Sequence, residues 1–379
     1  MTAVSTVAAL TDMTPMARAL RLARQALGST SPNPAVGAVV SKEGVVLGEG
    51  YTQPLGGGHA EIGALRQAGE SSRGADLYTT LEPCCTFGRT PPCTRAIIGA
   101  GIRRVYLAVE DPNPLVLGKG RRELEAAGVQ VQVSQGKDAE TAGEIYQGFA
   151  KHINTGLPFV TAKFAMSLDG KIAAHTGDSK WITGPEARVV AQQLRRESDV
   201  VMVGISTVLA DDPQLTARDR DGGPLTRQPL RVVLDSAGRT PTTAKLLQEP
   251  GKTVIAVCLG APVDKIVRLE DAGAEVIQAP PDPDGRVDMN GLLEELGRRG
   301  VVNLMVEGGG IILGSLFDGG RVDKVMAFVA PVIIGGSGAA SPVEGAGISR
   351  MADAWRLERT KMEQVGGDWI VTGYPKARG

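Results

Sequence analysis

The chain has three histidines and four cysteines in 379 residues, yet one histidine and three cysteines fall between positions 59 and 93. His59 lies two residues before Glu61 in HAEIGAL. Cys84, Cys85 and Cys93 follow in EPCCTFGRTPPCT, and Cys84 and Cys93 each come directly after a proline. Zinc prefers nitrogen and sulfur ligands in a tetrahedral array, and a catalytic zinc keeps three protein ligands and one position for water. His59, Cys84 and Cys93 supply that number. Glu61 as a fourth ligand would close the site, so it reads as a proton carrier. It takes a proton from water activated at the metal, passes it to a ring nitrogen and helps ammonia leave. The target is a ring carbon bearing an exocyclic amine.

His-x-Glu followed by Pro-Cys is the signature of zinc deaminases, where two residues separate the cysteines. Here eight do, so CTFGRTPP must loop out before Cys93 reaches the metal. Cys93 then opens the helix TRAIIGAG, whose N-terminus favours a thiolate. Cys85 points away from its neighbour and reads as a small packed side chain. Cys258 sits in an apolar strand and reads as core, and His152 and His175 read as surface residues.

These residues need elements to hold them. Apolar spacing predicts a helix over 16–27 ending at Gly28, then a turn at SPNP. Residues 35–40 and 45–51 read as a hairpin, and Gly56, Gly57 and Gly58 as a loop before the helix 59–69 with Glu61 in its first turn. Strands at 75–83, 103–112 and 129–134 alternate with helices at 94–101 and 120–128, which predicts a layered α/β domain. A helix over 140–154 ends in Asn154-Thr155-Gly156 before Pro158, so the domains are read as 1–154 and 155–379. The second domain also alternates, with strands expected at 159–166, 199–204, 230–236, 253–260, 301–309 and 324–334. Thr183 is the expected N-cap of a helix with Pro185 in its first turn. Residues 281–291 read as a loop, and the last segment as a hairpin turning near Gly366-Gly367.

The totals agree with a two-domain enzyme acting on small molecules. A chain of 379 residues exceeds what one hydrophobic core usually serves. A formal charge of −1 argues against a phosphate-backbone footprint, and 4% aromatic residues leave little for stacking on single strands, so no nucleic-acid partner is expected. The start, MTAVSTVAALTDM, does not read as a signal peptide, and no run reaches 18 apolar residues, so no membrane span is expected. A cytoplasmic location with reduced thiols follows, where clustered cysteines are metal ligands or catalysts more often than disulfides.

MARAL, SPNPAVGAVV, GEGY, HAE, EPC…GRTPPC and EDPNP, in this order, resemble the deaminase half of the bifunctional riboflavin-biosynthesis enzyme. That enzyme joins a diaminohydroxyphosphoribosylaminopyrimidine deaminase to a 5-amino-6-(5-phosphoribosylamino)uracil reductase. KFAMSLDGKIA, SKWITG, LRRESD, VGISTVLADDPQLT, VLDS and VEGGG resemble its reductase half, so the likeness spans nearly the whole chain. The resemblance implies a cytidine-deaminase-like three-layer α/β domain followed by a dihydrofolate-reductase-like α/β domain. It implies zinc on His59, Cys84 and Cys93, Glu61 as proton donor, and Asn33 bonding the substrate near the metal. Thr86 stands where the family often has histidine, which bears on substrate contacts and rate and not on the metal.

VEGGG at 306–310 precedes the helical IILGSLF, and glycines at a strand-to-helix turn suit a phosphate, yet no G-x-G-x-x-G is present. Taken alone, such a turn is often just a turn. The resemblance implies NADPH there, with Ala165, Trp181, Thr207, Asp211 and Ser236 contacting the cofactor. It implies that the turn Gly309, Gly310, Ile311, Ile312, Leu313, Gly314 and Ser315 holds the cofactor phosphates. It also implies a phosphoribosyl pyrimidine lined by Ser179, Arg195, Leu215, Arg218 and Glu307. The forks of Arg195 and Arg218 suit a ribose phosphate. Lys163 and Glu307 are the nearest candidates for acid-base roles in delivering hydride to the ribosyl carbon. A homo-oligomer, dimer or tetramer, is expected because exposed faces of such domains often pair. Two alternatives stay open: a deaminase of another nucleotide or of RNA fused to a folate-type reductase, and a second domain that binds nucleotide without turnover.

Overall fold

The computed structural model describes residues 13–87 and 91–376. The reading of the extreme N-terminus and the Gly88-Arg89-Thr90 part of the loop between the cysteines lie outside the described residues. The chain forms two compact units, one through Gly156 and one from Leu157.

The first unit runs α1 (Pro15–Ala26), β1 (Gly37–Lys42), β2 (Val45–Tyr51), α2 (Ala60–Ala68), β3 (Asp76–Thr79), α3 (Cys93–Gly99), β4 (Arg104–Leu107), α4 (Lys119–Ala126), β5 (Gln130–Val133) and α5 (Lys137–Thr155). Its sheet order is β2-β1-β3-β4-β5. The β1–β2 hairpin is antiparallel, β1 pairs antiparallel with β3, and β3, β4 and β5 are parallel. Thr14 caps α1 by accepting from the Ala17 N–H at 3.2 Å, and Pro15 begins it. α5 ends where Gly156 turns left-handed at φ 73° and its N–H bonds the His152 carbonyl.

The second unit contains β6 (Phe159–Ser167), α6 (Pro185–Glu197), β7 (Val200–Gly204), α7 (Ile205–Asp211), β8 (Leu230–Leu234), α8 (Lys245–Gln248), β9 (Thr253–Cys258), α9 (Val263–Asp271), β10 (Glu275–Ala279), α10 (Met289–Arg298), β11 (Asn303–Val306), α11 (Gly310–Asp318), β12 (Lys324–Ala330), β13 (Leu357–Val365) and β14 (Asp368–Pro375). Nine strands lie in the order β10-β9-β8-β7-β11-β6-β12-β14-β13. From β10 to β12 every pairing is parallel, and the β13–β14 hairpin adds an antiparallel edge. A parallel sheet must be covered on both faces, so its strands read as continuous apolar runs. β7 shows this. Val200 and Met202 pack with Leu292, Leu296 and Leu316 of α10 and α11. Val201 and Val203 pack with Val208, Leu246 and Leu269 of α7, α8 and α9.

Three local readings are corrected. The N-cap of α6 is Gly184, not Thr183: its N–H donates to Asp368 Oδ2 at 2.7 Å, while Thr183 gives its carbonyl to Arg188. Residues 281–291 are not all loop, because Asp288 accepts from the N–H groups of Asn290 and Gly291 and starts α10. α9 and β10 are additional elements outside the sequence reading; α9 carries an amphipathic apolar spacing with Ile266 and Leu269 buried, whereas β10 is short and half-exposed. Among the described residues no helix is long and apolar enough to cross a membrane.

Candidate active sites

In the first unit, two glycines decide where His59 can be. Gly48 and Gly50 sit on one face of β2, and α2 lies directly on them. A Cβ on Gly50 would come within 2.1 Å of the Ala60 carbonyl oxygen, and one on Gly48 within 2.2 Å of that of Ala64. Real side chains do not approach backbone so closely, so GEGY lets the helix dock and fixes its first turn. His59 is the N-cap of that helix and Glu61 lies one step inside it.

Cys84 arrives from the other side, just beyond β3. Glu82, 2% exposed, anchors this stretch. Its carboxylate accepts from the backbone N–H of Asp111 at 3.2 Å, of Gly118 at 2.9 Å and of Arg121 at 2.9 Å. The start of α4 can come this near because Gly120 has no side chain; a Cβ there would meet the Pro83 carbonyl at 2.2 Å. Tyr146 of α5 steadies the same strand end, bonding Thr80 Oγ1 at 2.5 Å and donating to the Ala35 carbonyl at 3.1 Å. Glu82 and Tyr146 are not among the residues singled out by sequence. For Glu82 a signal existed: an acidic residue between an apolar strand and Pro-Cys.

The ligand atoms of His59, Cys84 and Cys93 all lie within 4.8 Å of one another. His59 Nδ1 is 3.2 Å from Cys93 Sγ and 3.6 Å from Cys84 Sγ. Tetrahedral zinc with ordinary bond lengths sets such nitrogen–sulfur separations at about 3.6 Å. The donor set and its spacing therefore fit zinc. Hydrogen bonding from Cys93 and then from His59 draws the Cys84 thiol down against its burial. Cys93, hydrogen-bonded to Cys84 and buried, is pushed up. A cation bound here would favour both sulfurs as thiolates. Glu61 is 4% exposed. Burial first, and then the charge on Cys84, raise its carboxyl to about 7. A hollow of about 520 Å³ borders His59, lined also by Tyr51, Gln53, Ile62 and Arg66. Asn33 is half-buried in a turn closed by its N–H on the Thr30 carbonyl at 2.9 Å. Cys85 is half-buried, Cys258 is buried in β9, and His175 is exposed.

The second unit holds a cleft of about 1140 Å³ at the C-terminal ends of β7 and β11. Open α/β sheets gather their ligands at such ends. Ala165, Trp181, Thr207 and Asp211 border it, as do Ser179, Arg195, Leu215, Arg218 and Glu307. Trp181 is 72% exposed and stacks under the Arg188 guanidinium at 4.6 Å. Ser179 Oγ donates to Asp211 Oδ1 at 2.6 Å.

The fork that the sequence reading offers to a phosphate is taken in one of the two arginines. Arg195 donates Nε and Nη2 to the Glu307 carboxylate at 2.5 and 3.0 Å, and Nη1 to the Thr216 carbonyl at 3.1 Å. Lys163 Nζ stands 3.5 Å from the same carboxylate. Burial alone would raise Glu307, yet Arg195 and Lys163 hold it at about 2. Arg218 keeps Nε on Thr216 Oγ1 at 2.9 Å and borders the cleft.

The glycine turn meets the cleft over part of its length. Gly309, Gly310 and Leu313 border the cleft. Ile312 is 8% exposed and packs in the core, because α11 must turn an apolar side onto the sheet. Ile311 is exposed, Gly314 faces the Glu344 backbone, and Ser315 Oγ donates to the Ile311 carbonyl. Ser236 lies beyond the end of β8, outside the cleft lining, and its Oγ accepts from the Val287 N–H at 3.2 Å.

Scaffold and sites together define a zinc-type deaminase unit followed by a parallel-sheet unit with a nucleotide-sized cleft. Comparison with known proteins agrees with both halves. Residues 11–109 match the cytidine and deoxycytidylate deaminase zinc-binding region, and residues 158–371 match the RibD C-terminal domain. The riboflavin biosynthesis protein RibD of Bacillus amyloliquefaciens is 43% identical over 362 residues, 95% of each chain. That of Escherichia coli K12 is 39% identical, covering 93% of this chain and 96% of its own. The solved structure of Acinetobacter baumannii RibD superposes with a TM-score of 0.81 at 37% identity, over 96% of this chain and 98% of that one. A Thermotoga maritima diaminohydroxyphosphoribosylaminopyrimidine deaminase/5-amino-6-(5-phosphoribosylamino)uracil reductase gives 0.80 at 33%, over 96% and 98%. The chain belongs to the RibD family, the bifunctional deaminase/reductases of riboflavin biosynthesis.

Proposed function

We propose that this chain performs two consecutive steps on one pyrimidine. The first unit deaminates a diaminopyrimidinone that carries a phosphoribosylamino group. The second reduces the ribosyl group of the product to a ribityl chain with NADPH. The convergence of His59, Cys84 and Cys93 beside buried Glu61 is the observation that carries this reading.

His59, Cys84 and Cys93 would hold the zinc, which would supply Lewis-acid activation of water. Glu61, whose carboxyl burial raises above the usual range, can both accept and return a proton. It carries that proton to the ring nitrogen and the departing amine, and Asn33 bonds the pyrimidine. NADPH supplies the hydride in the second unit. Ala165, Trp181, Thr207, Asp211 and the Gly309–Gly310 turn hold the cofactor, with Ser236 at the far end of the same sheet edge. Ser179, Leu215 and Arg218 hold the phosphoribosyl group. The Lys163–Glu307–Arg195 cluster orients the ribose from the cleft wall, with its charges already balanced within the protein. Thiols acting as metal ligands need a reducing compartment, which supports a cytoplasmic location.

Zinc-loaded protein should release ammonia from the phosphoribosyl diaminopyrimidinone and not from cytidine, and should then oxidise NADPH. Ammonia release from cytidine or RNA instead would overturn the substrate assignment. NADPH left unoxidised in the presence of deaminated intermediate would reduce the second unit to a binding module.

A further inference from the structure

The mechanism uses neither the tight turn that follows β6 nor the segment that follows β12. The two are bound together by an unusually complete set of contacts. Asp169, at the tip of SLDGK, accepts from two consecutive backbone N–H groups, Ile334 to Oδ1 at 3.1 Å and Gly335 to Oδ2 at 2.7 Å. Ser167 Oγ also donates to Oδ1 at 2.6 Å and receives the Lys171 N–H at 2.9 Å. Further along, Lys171 Nζ donates to the Ala339 carbonyl at 3.2 Å, and the Ile172 N–H to that of Ala340 at 3.0 Å. Gly335 and Gly336 both have positive φ, 70° and 84°, a turn that glycine adopts without strain. Ser167, Ile334 and Gly335 hold the Asp169 carboxyl down at about 2, so it is ionised throughout the working range.

Beyond this anchorage the segment crosses the first turns of α11. The Glu344 N–H donates to the Gly310 carbonyl at 3.0 Å, and the Ala346 N–H to Asp318 Oδ2 at 3.1 Å. A Cβ on Gly310 would meet the Ser341 carbonyl at 2.8 Å, and one on Gly314 the Glu344 carbonyl at 1.9 Å. The two glycines, four apart on one helix face, therefore let residues 341–345 lie flat against the helix. Ile172 and Pro342 of this assembly border the cleft together with Gly309, Gly310 and Leu313.

We propose that Asp169 is a positioning residue for the cofactor: by tying residues 334–335 to the turn after β6, it holds the strap that backs the Gly309–Gly310 turn. Asp169 itself does not border the cleft. Its effect runs through the strap, which keeps the N–H groups of the turn organised before binding, and organisation in advance is what a flexible turn would lose. This rests on the reading that NADPH binds in this cleft.

The test is Asp169→Asn in the full chain, an isosteric change that removes the charge and turns one acceptor into a donor facing an N–H. NADPH binding without substrate is followed by energy transfer from tryptophan, and steady-state rates are measured with the deaminated pyrimidine. The NADPH Kd and KM should both rise on the order of tenfold, the loss of about one charge-assisted hydrogen bond. kcat at saturating NADPH, the pyrimidine KM and ammonia release should stay within about twofold, a separation that general loosening of the fold would not produce. Equal NADPH affinity in wild type and Asp169→Asn overturns the inference, whereas wild type that fails to bind NADPH overturns the cleft reading beneath it. Should the variant not fold, Lys171→Ala loosens the same strap at Ala339 and is expected to weaken NADPH binding in the same direction. Hydrogen exchange on wild type gives a further check: the Ile334 and Gly335 amides should be protected, and rapid exchange of both would refute the tie.

Discussion

Replacing Glu307 by Gln tests the electrostatics of the reductase cleft directly. Glu307 is 7% exposed at its side chain and faces Arg195 and Lys163, themselves 15% and 14% exposed. The substitution keeps shape and leaves two buried cations facing each other without a counter-charge. Its cost can be estimated from proton affinity. The carboxyl falls from an ordinary 4.5 to about 2, and at about 1.4 kcal/mol per tenfold this corresponds to roughly 3 kcal/mol. Loss of one partner of a buried ion pair costs a similar amount, about 3–5 kcal/mol. All three tryptophans, Trp181, Trp355 and Trp369, lie in the second unit, so tryptophan fluorescence in urea follows that unit alone. At pH 7 the Glu307→Gln transition should move to lower urea by the equivalent of about 3 kcal/mol. Because the folded pKa lies below the ordinary value, the wild-type advantage is full above pH 4.5 or so and shrinks as pH falls toward 2. Superimposable curves at pH 7, or a gap that stays constant down to pH 3, would show that the three charges do not stabilise one another.

Glu61→Gln should retain zinc by elemental analysis while ammonia release falls by about 10²–10⁴, and reduction of supplied intermediate should continue; loss of both activities would contradict two independent sites. Stripping zinc with a chelator should abolish deamination and spare NADPH oxidation, with recovery when zinc is returned; deamination by metal-free protein would rule out the three-ligand reading. Gly50→Ala forces a side chain to within 2.1 Å of the Ala60 carbonyl, so it should destabilise the first unit by about 1–3 kcal/mol and lower zinc content by shifting His59. Normal zinc content and melting in that variant would mean that α2 is not seated by the glycine.

The local chemistry of this chain was legible because it is carried by rare residue types in a short span. With three histidines and four cysteines available, the order His59, Glu61, Cys84, Cys93 leaves few other readings, and the motifs spanning both halves point to one family. The long helix α5 and the fully buried, continuously apolar strand β7 were legible for a similar reason. Short or half-exposed elements were not. β10 buries one residue fully, and the Asp288 cap that starts α10 sits inside a stretch of turn formers.

What the sequence determined by itself is the donor set, the two-part organisation and the class of reaction, since these follow from residue identity and order. What only the tertiary structure decided is which groups are free to act. Arg195 appears in the sequence as a fork open to phosphate, but folding brings Glu307 to 2.5 Å from it and closes that fork. Ile312 lies in the glycine turn, yet the helix rotates it into the core. Glu61 acquires a pKa of about 7 only because α2 settles on Gly48 and Gly50 and buries it beside Cys84. Partnership, exposure and proton affinity depend on distances between residues far apart in the chain, and local patterns carry no measure of those distances.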